Sequence, residues 1–484
     1  MTLSCFEQGM AEYDSGNYVK AVRLFQQASA QFPNDAAILS KLGNALKRSG
    51  RFEEATEIHR QLVEKFPNAP EALSDLAAAL LSWGKVEEAV HYFEKAVALC
   101  PSSAELHYNA AVANQRADNM QQATWCYRRA VGLSPDHASA WSNLGICLKA
   151  IGQVDEALQC QRRAISIDPS NPDFQWNLAL TELLLGDFKN GFSRYEWRRR
   201  IPGYASLGGV PWTGEAARDK TLTVFAEQGI GDTFQFVRYL NAAKEKVGRL
   251  CFMCRKELIP FMRTGCIGFD EIIPFTPIDC DELSAPLMSL PHLLGLLDPL
   301  TSTVPYLHAN PLRVEYWKPL LRTDTAVNVG FAWQGNPSHR DDHHRSISVS
   351  ELSSILQIEE ARFFSLQKRH GHTELDAMPT ELNVVNLSGV LDDDGAFVDT
   401  AAVMRCMDIV LTVDTSIAHL AGGLGVETWT MLPFAPDFRW GQGECRFYPD
   451  MKLFRQESRG DWSTVIQAIR RSLIDRCRST MRSV

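Results

Sequence analysis

Pro33, Pro67, Pro101, Pro135 and Pro169 stand 34 residues apart, and no other feature of the sequence constrains the fold as much. Ala21, Ala55, Ala89, Ala123 and Ala157 keep the same step, as do Ala28, Leu62, Ala96, Ala130 and Ala164. A fixed period of this length marks stacked supersecondary units, each too small to bury its own apolar face. Small residues fall where two antiparallel helices approach closely, and the proline follows the second helix because it cannot continue one. Phe25, His59, Phe93, Tyr127 and Gln161 form a further column of long or aromatic side chains, placed to pack into the next unit.

This pattern resembles the tetratricopeptide repeat (TPR), and the resemblance covers about residues 1–200 as five clear repeats and a divergent sixth. The sixth begins near Pro172 and carries Trp176, Leu178 and Ala179. Gly191 then takes the alanine position, and Tyr195-Glu196-Trp197-Arg198 replaces the usual ending. A terminal repeat departs from consensus where one face caps the stack or docks elsewhere, and the following domain is the expected partner. Stacking implies a superhelix whose concave groove, lined by the first helix of each unit, binds an extended peptide or protein segment. Asn44, Asn109 and Asn143 fall on those helices as donors to a peptide backbone, or as ordinary solvated or capping asparagines.

Bulk properties narrow the function. The formal charge is -9 and neither end carries a Lys/Arg block, which argues against nucleic acid as partner. The short Arg198-Arg199-Arg200 cluster reads as a solvated face or a domain-junction feature. No apolar run approaches the ~20 residues that cross a bilayer. The first residues lack the basic and apolar regions of a secretory signal. A soluble, cytoplasmic protein is the expectation. The 12 cysteines follow no framework and suit a reducing compartment. Cys251 and Cys254 form a CxxC inside a strand, where positions three apart face opposite sides and would not share one metal.

From about residue 205 the period vanishes. Apolar runs at Thr221 to Ala226, Arg249 to Met253, Glu271 to Phe275 and Pro286 to Leu290 read as one set of strands. Val327 to Trp333, Arg362 to Leu366, Asn383 to Leu387, Asp408 to Val413 and Thr428 to Leu432 read as a second. Near-continuous β-rich runs separated by helices predict parallel sheets covered on both faces. Two such sets predict two Rossmann-like lobes at about 205–320 and 325–484, the latter with a C-terminal helix, joined around Pro305 to Asp324. Ligands of such sheets bind beyond the carboxyl ends of the strands.

Chemistry-bearing residues fall at those ends. Gly229 and Gly231 let the backbone turn after the first strand, and Asp232 then starts a helix, either as its N-cap or as a general base facing a cleft. Gly335 follows the first strand of the second set and opens a polar loop. There His339, Arg340 and Arg345 suit a lid or anion contacts better than a metal, because the histidines and aspartates are sequential on a loop. Gln367 and Lys368 close the next strand and bring a cation to the same edge. Asp414, Thr415, Ser416, Ala418 and His419 then pass from a strand into a small-residue helix, whose first N–H groups form an anion site. His419 reads as a ligand contact, with a buried packing histidine as the alternative.

Gly-Ile-Gly-Asp at 229–232, Trp-Gln-Gly-Asn-Pro at 333–337 and Asp-Thr-Ser-Ile-Ala-His-Leu-Ala-Gly at 414–422 resemble the GT-B glycosyltransferases related to the ADP-heptose heptosyltransferases. A TPR arm before such a domain is also similar to the O-linked N-acetylglucosamine transferases and the TPR-bearing bacterial flagellin glycosyltransferases. The resemblance implies a TPR α-solenoid followed by a GT-B pair of lobes, acceptor side first and nucleotide-sugar side second. It implies Asp232 as base, Lys368 on donor phosphate, and Thr415, Ser416, Ala418 and His419 around that phosphate. It implies neither cofactor nor metal, and the chain offers no Asp-x-Asp motif in a metal-binding context. The long insertion and histidine motifs of the O-linked N-acetylglucosamine enzymes are missing, so their donor does not carry over. The implied function is transfer of a sugar from a nucleotide-sugar to a protein acceptor, flagellin among the candidates, brought in by the repeats. The alternatives are a TPR scaffold with a non-catalytic domain, and a glycan-assembly transferase that the repeats recruit.

Overall fold

The computed structural model of the chain describes residues 4–204, 207–298, 304–321, 327–379, 382–393 and 395–481. It separates into two compact units, Met1–Asn177 and Leu178–Val484.

The first unit is a stack of helix pairs. They are α1 (Cys5–Asp14) with α2 (Tyr18–Gln31), α3 (Ala36–Arg48) with α4 (Phe52–Lys65), α5 (Pro70–Ser82) with α6 (Val86–Leu99), α7 (Ala104–Arg116) with α8 (Met120–Leu133), and α9 (Ala138–Ala150) with α10 (Val154–Ile167). The alanines at 21, 55, 89, 123 and 157 are fully buried, because a side chain longer than a methyl would force the helices of a pair apart. Their neighbours follow the same logic in reverse. A Cβ on Gly9 would stand 2.7 Å from the Phe25 ring, and one on Gly43 would stand 2.4 Å from the His59 ring. The turn inside each pair needs a left-handed residue, supplied by Gly16, Gly50, Gly84 and Gly152, and by Asp118 at φ 64°. The carbonyl of the repeat proline is also satisfied in a repeating way. His107, Trp141 and Gln175, each six residues beyond a proline, bond Pro101, Pro135 and Pro169 at 3.0, 2.8 and 2.9 Å. Of the asparagines singled out, Asn44 is engaged by Asp75 at 3.4 Å, beside Ser40 on the same carboxylate at 2.7 Å.

A sixth pair, α11 (Pro172–Leu184) and α12 (Phe188–Tyr195), leads into the second unit. Gly191 holds the alanine column because a Cβ there would stand 2.6 Å from Leu183. The other face of α12 is aromatic: Phe192 meets Phe236 edge-on at 6.3 Å and Phe188 meets Phe447 at 5.9 Å. The divergence of this repeat therefore has a packing cause.

The second unit holds two parallel sheets. The first contains β1 (Gly208–Pro211), β2 (Ala217–Phe225), β3 (Val247–Cys254), β4 (Glu271–Pro274) and β5 (Ile278–Pro286) in the order β1-β5-β2-β3-β4. Its helices are α13 (Ile230–Phe236), α14 (Leu240–Lys244), α15 (Ile259–Gly265) and α16 (Leu290–Leu294). The second contains β6 (Val327–Ala332), β7 (Ala361–Ser365), β8 (Val384–Asn386), β9 (Ile409–Val413), β10 (Thr428–Leu432) and β11 (Lys452–Arg455) in the order β11-β10-β9-β6-β7-β8. Around it lie α17 (Pro311–Leu321), α18 (Asp342–Arg345), α19 (Ser353–Leu356), α20 (Val398–Met404), α21 (Ser416–Leu424) and α22 (Ser463–Met481). Val327, Val329, Phe331 and Trp333 alternate onto one face, where Ile469 and Leu473 of α22 join a continuous apolar core.

The strand readings need one correction. Pro286 to Leu290 is not a strand: β5 ends at Pro286, and Leu287–Ser289 form a 3₁₀ turn before α16. The true strand hid behind Asp279, Asp281 and Glu282, polar residues on its exposed half, while the apolar run caps the sheet end. The edge strands β1 and β11 also escaped the apolar pattern. The stretch read as a joint, Pro305 to Asp324, contains α17, and its residues 322–324 lie outside the described ones. Cys251 and Cys254 are both buried in β3, and burial pushes their thiols up to about 11 and about 12. Among the described residues no helix is long and apolar enough to cross a membrane.

Candidate functional site

A parallel sheet opens a crevice where its strand order reverses. That point lies between β2 and β5 in the first sheet and between β6 and β9 in the second. The turn leaving β2 and the turn leaving β9 meet. A Cβ on Gly231 would stand 2.8 Å from His419 Cδ2 and 3.5 Å from the Ser416 Cα, so only glycine lets α13 and α21 come this close.

On the first-sheet side, Gln228 takes a left-handed φ of 61° at the apex of the turn and donates to the Tyr195 hydroxyl at 3.0 Å. Such a backbone costs a non-glycine residue about 1 kcal/mol or more and persists where its surroundings hold it. Asp232 is the third residue of α13, not its N-cap; Gly229 holds that position. The Asp232 Oδ2 accepts the Gly229 N–H at 2.7 Å, and Oδ1 accepts the guanidinium of Arg439. Glu227, one turn earlier, is fully engaged. Arg198 reaches it at 2.5 and 3.2 Å, the Tyr204 hydroxyl donates to it, and the Met288 N–H reaches it at 3.2 Å. Arg198 is thus buried rather than solvated, and Glu196 at 2.8 Å and the Ser289 hydroxyl at 2.8 Å complete its shell. Burial opposes its charge, but Glu227 and Glu196 outweigh that and hold the guanidinium protonated.

On the second-sheet side, Thr415 caps α21, its hydroxyl accepting the Ile417 N–H at 3.3 Å. The Ala418 N–H turns back to the Thr415 carbonyl at 3.1 Å, so it is not open to an anion as the sequence suggested. The Ser416 N–H has no acceptor among the described residues. His419 is buried; it stacks on Trp440 with centroids 5.1 Å apart, and its Nδ1 meets the Tyr448 hydroxyl at 3.1 Å. Burial, with Arg439, Arg238 and Arg345 adding to it, pushes the imidazole well below its usual range and keeps it neutral. Tyr448 continues to Tyr306 at 3.2 Å, and Tyr306 to Arg238 at 2.9 Å. Asp414 lies partly buried beside this group. Burial pushes its carboxyl up to about 6, Asp437 pushes the same way, and Arg345 and Arg439 oppose.

The remaining candidates have local duties. Gln367 accepts the Trp333 and Gln334 N–H groups at 3.1 and 3.2 Å and donates to the Gln334 and His370 carbonyls at 3.0 and 2.6 Å. It ties the ends of β6 and β7 together, and its amide has no capacity left for a donor molecule. The Lys368 ammonium donates to the Leu391 carbonyl, which takes one of its three N–H groups. The Gly335 N–H donates to Ser346 at 2.9 Å, and a Cβ at Gly335 would collide with Asp342. Asp342 in turn holds Arg345 at 3.1 Å. His339 accepts the Asp341 N–H at 3.2 Å and, like Arg340, is exposed.

Sequence reading missed Arg439, Trp440 and Tyr448. Arg439 also pairs with Asp437 at 2.5 Å and lies 4.4 Å over the Phe438 ring. The available signal was Asp437-Phe438-Arg439-Trp440, a charged and aromatic run just beyond the carboxyl end of β10.

The repeated helix pairs of the first unit are tetratricopeptide repeats. Family models described as tetratricopeptide repeat match residues 12–80, 70–103 and 138–171. Among curated proteins, Protein FlbA of Caulobacter vibrioides is 23% identical over 340 residues, 62% of this chain and 55% of that protein. The chain thus spans little more than half the length of that relative. Among solved structures, MamA is 24% identical with a TM-score of 0.31, covering 33% of this chain and 93% of its own. A thermophilic TPR protein of Thermus thermophilus is 23% identical with a TM-score of 0.32, covering 37% of this chain and 97% of its own.

Proposed function

We propose that the second unit is a GT-B glycosyltransferase and that the repeats of the first bring it a protein acceptor. The single observation that carries this reading is the close approach of Gly231, the residue before Asp232, to Ser416 and His419 at the carboxyl ends of two parallel sheets. A nucleotide-sugar lies on the second sheet, its phosphate at the start of α21 with a donor from Lys368. The acceptor hydroxyl enters from the first sheet. Its oxygen bonds to the anomeric carbon while the bond to the phosphate oxygen breaks, the electron pair leaving with the nucleotide. The hydroxyl proton passes to Asp232. Neutral His419 offers a hydrogen bond without adding charge, and the Ser416 N–H and Lys368 stabilise the leaving phosphate. Asp232, not Glu227, is the base, because Arg198, Tyr204 and the Met288 N–H occupy the Glu227 carboxylate.

The scaffold reading is favoured by one observation: Asp232 and Lys368 both already have partners within the chain. Asp232→Asn separates the two. In an enzyme it lowers transfer by about 10²–10⁴, while the chain stays folded and still binds the donor. Thermal stabilisation by UDP-, GDP-, ADP- or CMP-linked sugars identifies that donor, since binding raises stability by mass action. A chain that no nucleotide-sugar stabilises, and that adds no sugar mass to any protein of its host, is a scaffold.

A further inference from the structure

Arg439 is held from two directions, by Asp437 on its own turn at 2.5 Å and by Asp232 at the start of α13. Its Nε–H is buried and has no acceptor. A guanidinium carries five N–H donors in a rigid fork that fits carboxylates and phosphates alike, and here the protein leaves one of them unmatched. The pair stands at the mouth of α21. Asp232 follows Gly231, which touches Ser416 and His419, and Arg439 precedes Trp440, which stacks on His419. The Ser416 N–H at that mouth is a second donor without an acceptor among the described residues. Buried polar groups are normally paired, so the unmatched Arg439 Nε–H, on the turn whose Trp440 packs against α21, asks for an anion.

We propose that Arg439 binds the diphosphate of the donor in competition with Asp232, so that filling the anion site releases the carboxylate held in the ion pair. This rests on the nucleotide-sugar reading of the cleft and adds to it a ligand and an order of events. Asp232 is engaged while the cleft is empty and is set free by the arrival of the donor. Competition of this kind is reciprocal: by whatever factor the anion weakens the pair, the pair weakens the anion.

A double-mutant cycle on the full chain, with inorganic pyrophosphate as titrant in a calorimeter, tests this. Asp232→Asn is expected to bind pyrophosphate about five- to tenfold more tightly, a coupling of ordinary size. Arg439→Gln is expected to bind it at least about tenfold more weakly, the loss of one charge-assisted contact. In the Arg439→Gln background, Asp232→Asn is expected to change nothing further. Equal tightening in both backgrounds reports simple loss of a negative charge and overturns the sharing of Arg439. Circular dichroism checks each fold, and Arg439→Lys, which keeps the charge but loses the fork, replaces Arg439→Gln if that variant is unfolded. A nucleotide-sugar that binds wild type and the Arg439 variant equally overturns the proposal but leaves the nucleotide-sugar reading standing. Failure of pyrophosphate and of every nucleotide-sugar to bind wild type removes that reading, and the proposal with it.

Discussion

His59 occupies the column that holds Phe25 one repeat earlier and Phe93 one repeat later, and it is completely buried. Neither ring nitrogen has a hydrogen-bond partner. Burial pushes the imidazole down to about 4, with Lys47 adding to the effect and Asp75 opposing it. Between that value and the ordinary 6.5 of an exposed histidine the unfolded chain binds a proton that the folded chain refuses. The contribution to stability is therefore complete above about pH 6.5 and is lost as pH falls toward about 4, a loss of about 3 kcal/mol. His59→Phe removes the titration. The phenyl ring has a place ready, since Gly43 faces His59 as Gly9 faces Phe25.

The variant is expected to gain about 1–3 kcal/mol near neutral pH, because two unsatisfied buried nitrogens disappear. Its advantage should then widen to roughly 4–6 kcal/mol near pH 4, where the lost titration adds to that gain. Urea denaturation followed by helical circular dichroism across this pH range measures it, with the urea slope checked for constancy. Other groups that titrate are common to both proteins and cancel in the difference. Wild-type and variant stabilities that run parallel from neutral pH to about pH 4 would refute the reasoning, because His59 would then titrate alike in both states.

Gly231→Ala places a methyl 2.8 Å from the His419 ring. Overpacking of about 1–3 kcal/mol should exceed the helical gain of about 1 kcal/mol from replacing glycine, so the melting temperature falls; a rise would mean that α13 and α21 separate freely. Asp414 has the opposite pH signature to His59. Its raised carboxyl, about 6 against 3.8, favours the folded state below about pH 4 and loses that favour as pH rises through about 6. Asp414→Asn should therefore stabilise the chain by about 2–3 kcal/mol at pH 8 and by little at about pH 4, read as a melting-temperature difference that grows with pH. A difference that shrinks with pH contradicts the burial argument.

The repeats were legible because their constraint is repeated. One alanine says little, but buried alanines at 21, 55, 89, 123 and 157 report a helix contact made five times. Strand β10 was legible for a different reason: both of its faces are covered, so Thr428 to Leu432 is buried throughout and its limits coincide with the apolar run. Strand β5 was not, since three acidic residues on its exposed half masked it.

The site divides along the same line. Sequence can place a residue at the carboxyl end of a strand, but it cannot say whether the protein has already used that residue's hydrogen bonds. Gln367 and Lys368 are neighbours at the end of β7 and looked equally able to meet a ligand. In the structure Gln367 holds four backbone groups and has nothing left to give, whereas Lys368 keeps donors beyond the one that Leu391 takes. Glu227 and Asp232 divide in the same manner: three groups saturate the first, while the second holds one backbone N–H and one arginine that has an unmatched donor of its own. That arginine lies 207 residues further along the chain, a pairing that no local pattern encodes. Where a side chain stands is a property of its segment, but whether it is free to do chemistry is set by residues that only the fold brings to it.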